Sequence, residues 1–99
     1  MVRKKGKLPG KTVAQTYALE YGTDTIELQP SVIQSGMEVL VVDDLLATGG
    51  TAEAACKLIE SLDAHVIGCS FVIELLGLGG RDRLKGRLVH SLVTFAKEE

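Results

Sequence analysis

The spacing of apolar positions changes along this chain, from alternation to a helical repeat and back. Residues Thr25 to Gln29 alternate, with Ile26 and Leu28 on one side, which predicts a strand that Pro30 ends. Ser35-Gly36 marks a turn into Glu38–Val42, and the unbroken apolar run Val39 to Val42 reads as a buried parallel strand. Ala55, Leu58, Ile59 and Leu62 then fall at i, i+3, i+4 and i+7, the pattern of an amphipathic helix ending near Asp63. His65 to Leu75, with Val66, Ile67, Phe71, Val72 and Ile73, predicts a second buried strand. Residues 38–75 thus read as one right-handed βαβ unit with a parallel sheet. Gly77 to Gly86 is a glycine- and charge-rich connection, Leu88 to Phe95 a last strand, and Lys97-Glu98-Glu99 a tail. Lys4 to Tyr21 is polar and broken by Gly6, Pro9 and Gly10. It reads as a loop or a mobile flap rather than a regular element.

Composition narrows the class without deciding it. With 99 residues the chain makes a single domain at most. Its hydrophobic fraction of 45% and charged fraction of 24% are ordinary for a globular protein. A net charge of −2 gives no support for general nucleic-acid binding. The basic residues Arg3, Lys4, Lys5, Lys7 and Lys11 cluster at one end, as a solvated face or as a partner for a polyphosphate. Cys56 and Cys69 lack metal spacing and read as buried small apolar residues in a reducing compartment. No run reaches transmembrane length and no signal-peptide core is visible, so a cytoplasmic protein without membrane or nucleic-acid partners is expected.

Candidate chemistry concentrates in Val39-Leu-Val-Val-Asp-Asp-Leu-Leu-Ala-Thr-Gly-Gly-Thr51. Asp43 and Asp44 are read at the carboxyl end of the strand, where ligands bind in open α/β sheets. The small-residue turn Ala47, Thr48, Gly49, Gly50 and Thr51 runs into the helix. It offers free backbone N–H groups and the positive end of a helix dipole, which suits a phosphate. Paired acids just upstream suit sugar hydroxyls or a magnesium ion. The segment has the size of a ribose 5-phosphate. The plainer reading is a strand, turn and helix of any α/β protein. Gly77-Leu-Gly-Gly80 lacks the Lys-Ser/Thr of a P-loop and reads as loop only. Arg81, Arg83, Lys85 and Arg87 read as surface charge, and His65 and His90 as structural or solvated.

The segment from Val39 to Thr51 resembles the nucleotide-binding signature of the type I phosphoribosyltransferases. Arg3-Lys-Lys-Gly-Lys-Leu-Pro-Gly10, followed by Tyr17-Ala-Leu-Glu-Tyr-Gly22, narrows the likeness to the adenine phosphoribosyltransferase family, over nearly the whole chain. The resemblance implies an α/β chain with a partial type I phosphoribosyltransferase fold. That fold is a parallel-sheet βαβ core with a flap loop over 4–21, in a single truncated domain of 1–99 lacking the family's N-terminal elements. It implies that Asp43 and Asp44 hold the ribose diol and that Ala47 to Thr51 hold the 5-phosphate. Lys4 would lie near the pyrophosphate, Glu20 would assist proton transfer at the purine, and Tyr17 and Tyr21 would shape the closed flap.

The implied reaction is purine salvage: adenine and phosphoribosyl pyrophosphate give AMP and pyrophosphate, with magnesium bound to the pyrophosphate substrate and no dedicated protein metal site. A homodimer is implied as well. The isolated chain is expected to be weak or inactive, because the part of the family that contacts the base is not in it. The alternative is a non-catalytic phosphoribosyl- or nucleotide-binding module, or a partner of a longer chain.

Overall fold

The computed structural model describes residues 2–4, 6, 10, 12–18, 23–29 and 32–96. Its elements follow in the order β1 (Val2–Lys4), β2 (Val13–Ala18), β3 (Thr23–Leu28), β4 (Glu38–Leu46), α1 (Gly50–Ser61), β5 (His65–Leu75), α2 (Gly80–Arg83) and β6 (Val89–Phe95). They make two sheets. An antiparallel ribbon runs in the order β1-β3-β2, and a parallel sheet in the order β4-β5-β6.

Helix α1 lies between the two sheets, and its composition explains how it can. Ala52, Ala54, Ala55 and Cys56 are small and buried, so backbone can approach from more than one side. On the ribbon side Ala54 and Ala55 pack with Tyr17 and Ile26. On the parallel-sheet side Ala52 and Cys56 pack with Leu46, Cys69, Phe71 and Leu84. Further along, Leu58 and Ile59 meet Leu28 and Ala64. The two cysteines are buried free thiols, as expected, with their Sγ atoms 3.6 Å apart.

Three sequence expectations change. The loop expected over 4–21 contains a regular strand: β2 pairs with β3 from Val13↔Leu28 to Ala18↔Thr23. Its alternation is masked in sequence because Gln15 and Thr16 interrupt the apolar positions. Second, β4 is not buried on both faces. Val39 and Val41 pack inward, while Leu40 and Val42 are 52% and 68% exposed. Parallel sheets are usually covered on both faces, but among the described residues only α1 packs as a long helix on this one. Third, β4 continues past Val42 to Leu46, pairing Asp43↔Phe71 and Leu46↔Glu74, so the two acids lie inside the strand rather than just after it. The other expected elements are present: the parallel β4-α1-β5 unit, the strand near Thr25, and the last strand.

Candidate functional site

The end of β4 delivers Asp43 and Asp44 to an exposed rim. Two neighbouring carboxylates repel, and the local backbone answers only in part: the Asp44 N–H donates to Asp43 Oδ1 at 2.8 Å. Partial burial, together with the side chain and charge of Asp44, holds the Asp43 carboxyl above its ordinary range despite that bond. No cation lies within ion-pair distance of either acid among the described residues.

The chain then turns through Ala47, Thr48 and Gly49. Gly49 takes φ +85° as the residue before the helix, a left-handed conformation that suits glycine. No side chain caps α1. The first N–H groups of a helix have no partner inside the helix, so those of Gly50, Thr51 and Ala52 are presented at a mouth with positive dipole character. Residues Asp43 to Ala52 together line a cavity of about 250 Å³. Acids and helix start thus share one small space.

A second cavity of about 610 Å³ shares Asp43, Thr51 and Ala52 with it and is lined also by Val2, Arg3 and Lys4. The Tyr17 hydroxyl is a node at this border. It accepts from Lys4 Nζ at 3.0 Å and from Thr51 Oγ1 at 3.1 Å. The Lys4 ammonium also pairs with Asp24 and lies 5.6 Å from the Tyr17 ring centre. Its hydrogen bond to Asp24, then that to Tyr17, raises the Lys4 pKa, and the same ion pair lowers that of Asp24. Lys4 is therefore an engaged cation, and Tyr17 is a buried residue that joins ribbon to helix. Glu20 and Tyr21 lie outside the described residues.

For a metal, no group of three or more His, Cys, Asp or Glu side chains converges among the described residues. What exists is the exposed pair Asp43 and Asp44. That set fits magnesium, which uses one or two carboxylates plus water and substrate oxygens, and does not fit an all-protein cage.

The family model described as "Phosphoribosyl transferase domain" matches residues 2–92. The chain belongs to the phosphoribosyltransferase family. It is 57% identical over 96 residues to an adenine phosphoribosyltransferase of Cereibacter sphaeroides, covering 95% of this chain and 54% of that protein. A Desulfitobacterium hafniense adenine phosphoribosyltransferase is likewise 57% identical, over 94 residues. Among solved structures, the adenine phosphoribosyltransferase of Thermoanaerobacter pseudethanolicus superposes with a TM-score of 0.92 at 49% identity, over 95% of this chain and 55% of that one. The Saccharomyces cerevisiae enzyme, complexed with an imino-altritol bisphosphate and adenine, gives 0.86 at 47% identity, over 92% of this chain and 51% of that one. The chain spans about half the length of the curated relatives it matches.

Sequence reasoning missed the support beneath the loop from Ala47 to Gly49. Glu74 is 3% exposed and holds Arg81 Nε through both carboxylate oxygens, at 3.0 and 2.9 Å, while Ser91 Oγ donates to Oε1 at 2.9 Å. Burial pushes the Glu74 carboxyl up, but these two donors outweigh it and hold the group below the usual glutamate range. Arg83 and Arg87 pair with Glu53 and Glu60. Three of the four cations read as surface charge are thus partnered. The signal available in sequence was Glu74 itself, a charge inside the apolar run of β5.

Proposed function

We propose that this chain carries the ribose-phosphate half of an adenine phosphoribosyltransferase site, and that with the rest of such a site it transfers phosphoribosyl from phosphoribosyl pyrophosphate to adenine, giving AMP and pyrophosphate. The observation that carries the reading is the shared cavity of Asp43, Asp44 and the uncapped start of α1. Asp43 and Asp44 accept from the ribose 2′- and 3′-hydroxyls. Backbone N–H groups of Ala47 to Thr51 hold the 5-phosphate in the dipole field of α1. Displacement of pyrophosphate builds positive charge on the ribose, and two fixed carboxylates oppose that charge. Magnesium bound with the pyrophosphate would supply charge neutralisation of the leaving group, with Asp43 and Asp44 as the carboxylates that would share it. Lys4 adds a cation at the same border. Glu20 serves proton transfer at the purine, and Tyr17 and Tyr21 shape the closed site, which keeps water from the activated sugar.

The reading includes a cytoplasmic location and a homodimer, the edge of β4, unpaired among the described residues, giving a route to self-association. The second reading, a non-catalytic phosphoribosyl- or nucleotide-binding module or a partner of a longer chain, is favoured by one observation: the cavity between the acids and the helix start is lined by the single segment Asp43 to Ala52. Calorimetry with ribose 5-phosphate and AMP, beside a turnover assay with adenine and phosphoribosyl pyrophosphate, tests both. Weak binding with little AMP synthesis is expected of the 99-residue polypeptide alone. Turnover near that of a full-length relative overturns the module reading, and no binding of either ligand overturns both.

A further inference from the structure

The segment that follows β5 presses against the phosphate loop. A Cβ placed on Gly80 would lie 2.5 Å from the Ala47 carbonyl oxygen and 2.9 Å from Cγ and Cδ1 of Leu46. A Cβ placed on Gly49 would lie 2.9 Å from the Gly80 carbonyl oxygen and 3.2 Å from its Cα. Gly49 therefore faces the Gly80 backbone, and Gly80 faces Ala47 and Leu46, with no room for a methyl group at either position. Leu46, which leads into the loop, is paired across the sheet with Glu74.

We infer that Gly80 and Arg81 are positioning residues for the ribose-phosphate loop: the buried Glu74 pins Arg81, and the adjoining Gly80 backbone is the floor on which Ala47 to Gly50 rest. Arg81 is fixed from two strands at once. Its Nε serves both oxygens of Glu74 on β5, and its Nη1 donates to the Val89 carbonyl on β6 at 3.1 Å. Ser91 on β6 completes the set on Glu74. A buried carboxylate is costly unless its acceptors are filled, and a guanidinium fills them with directional bonds. That directionality locates the Arg81 backbone, and Gly80 is covalently next to it. From the other side Arg83 Nε reaches Glu53 Oε1 in the first turn of α1 at 3.3 Å, so α2 is tied to the loop's exit as well. Small displacements of groups that hold a substrate are expensive, because misplacement by about 1 Å can cost on the order of a hundredfold.

The inference rests on the ribose-phosphate reading for its ligand and on the backbone contacts for its mechanism, so the experiment separates the two. Gly80→Ala and Arg81→Lys are compared with Arg87→Lys in the full 99-residue chain. Arg87 is held by both oxygens of Glu60, at 2.7 and 2.9 Å, near the far end of α1, so the same exchange is made at an Arg–Glu pair away from the loop. Three readouts are taken: affinity for ribose 5-phosphate by calorimetry, the thermal midpoint, and amide hydrogen exchange of residues 48–51 by NMR. Gly80→Ala and Arg81→Lys are expected to weaken affinity about tenfold or more and to speed exchange of the loop amides. Arg87→Lys is expected to lower the midpoint while leaving affinity and loop exchange unchanged. Loop exchange unaltered in both test variants overturns the inference, as does an equal response in Arg87→Lys, or faster exchange with unchanged affinity. If the unmodified chain does not bind ribose 5-phosphate, the ribose-phosphate reading falls, and loop exchange alone decides whether Gly80 and Arg81 hold the loop.

Discussion

Two neighbouring strands of the same parallel sheet end in carboxylates and treat them in opposite ways. On β4, Asp43 and Asp44 are exposed, adjacent and without a cation among the described residues. On β5, Glu74 is 3% exposed and its acceptors are filled by Arg81 and Ser91. The satisfied carboxylate joins β5 to β6 and α2. The unsatisfied pair holds acceptor capacity open at a rim beside an uncapped helix start. Electrostatic strain at β4 and its relief at β5 thus separate a place for a ligand from a place that holds the fold. The pKa directions agree, with Asp43 raised, chiefly by partial burial and then by its like-charged neighbour, and Glu74 lowered by its donors against burial.

The strongest way to break this comparison is Asp43→Asn with Asp44→Asn. Loss of charge-assisted bonds to the diol is expected to cost about 3 kcal/mol of AMP affinity, roughly a hundredfold or more, with circular dichroism unchanged. Unchanged AMP affinity in the folded double variant would remove these acids from the site.

The converse change is Arg81→Met, which leaves Glu74 buried without its main partner. Breaking such a pair costs several kcal/mol when both groups are buried. Because Arg81 is half exposed, about 2 kcal/mol is expected, or a fall in thermal midpoint of roughly 10 °C. A midpoint within a degree or two of the parent would show that Glu74 does not depend on the arginine.

Gly50→Val is expected to weaken phosphate binding about tenfold relative to Ala47→Ser. A β-branched side chain at the first helical position stiffens the backbone that must close on the anion. Calorimetry with ribose 5-phosphate reads the difference, and equal affinities would argue against a backbone cradle.

The smallest effect is on the acid side of the stability profile. Glu74 has a folded-state pKa below its unfolded value. Its contribution is complete above the ordinary glutamate range and is lost as pH falls through that range and below. Asp43 has the opposite sign. The folded chain takes up its proton first, so stability rises slightly as pH falls through the interval above the ordinary aspartate range. Thermal midpoints measured from about pH 7 down to about pH 3 are expected to flatten in Glu74→Gln. Asp43→Asn is expected to raise the midpoint at neutral pH and to steepen the acid limb. Parallel profiles for both variants and the parent would contradict these signs.

The sequence by itself determined the contiguous parts of this protein. Strand, acid pair, glycine turn and helix lie within one segment, from Val39 to Leu62, where each element depends on neighbours a few residues away. The period change from strand to helix and the glycine turn between them are local effects, so they can be read without coordinates. The strand β2 was hidden because Gln15 and Thr16 interrupt its apolar positions, and its partner β3 decided it. Tertiary structure alone decided which face of β4 stays bare, since that depends on what packs over it and not on its own residues. It alone joined Tyr17 to Thr51 and Lys4, and it alone brought Gly80 beneath Ala47. Those contacts pair backbone and side chains distant in sequence, and glycines in a linker carry no mark of the surface that will press on them. Arg81 looked like any solvated cation until the fold buried a carboxylate beside it.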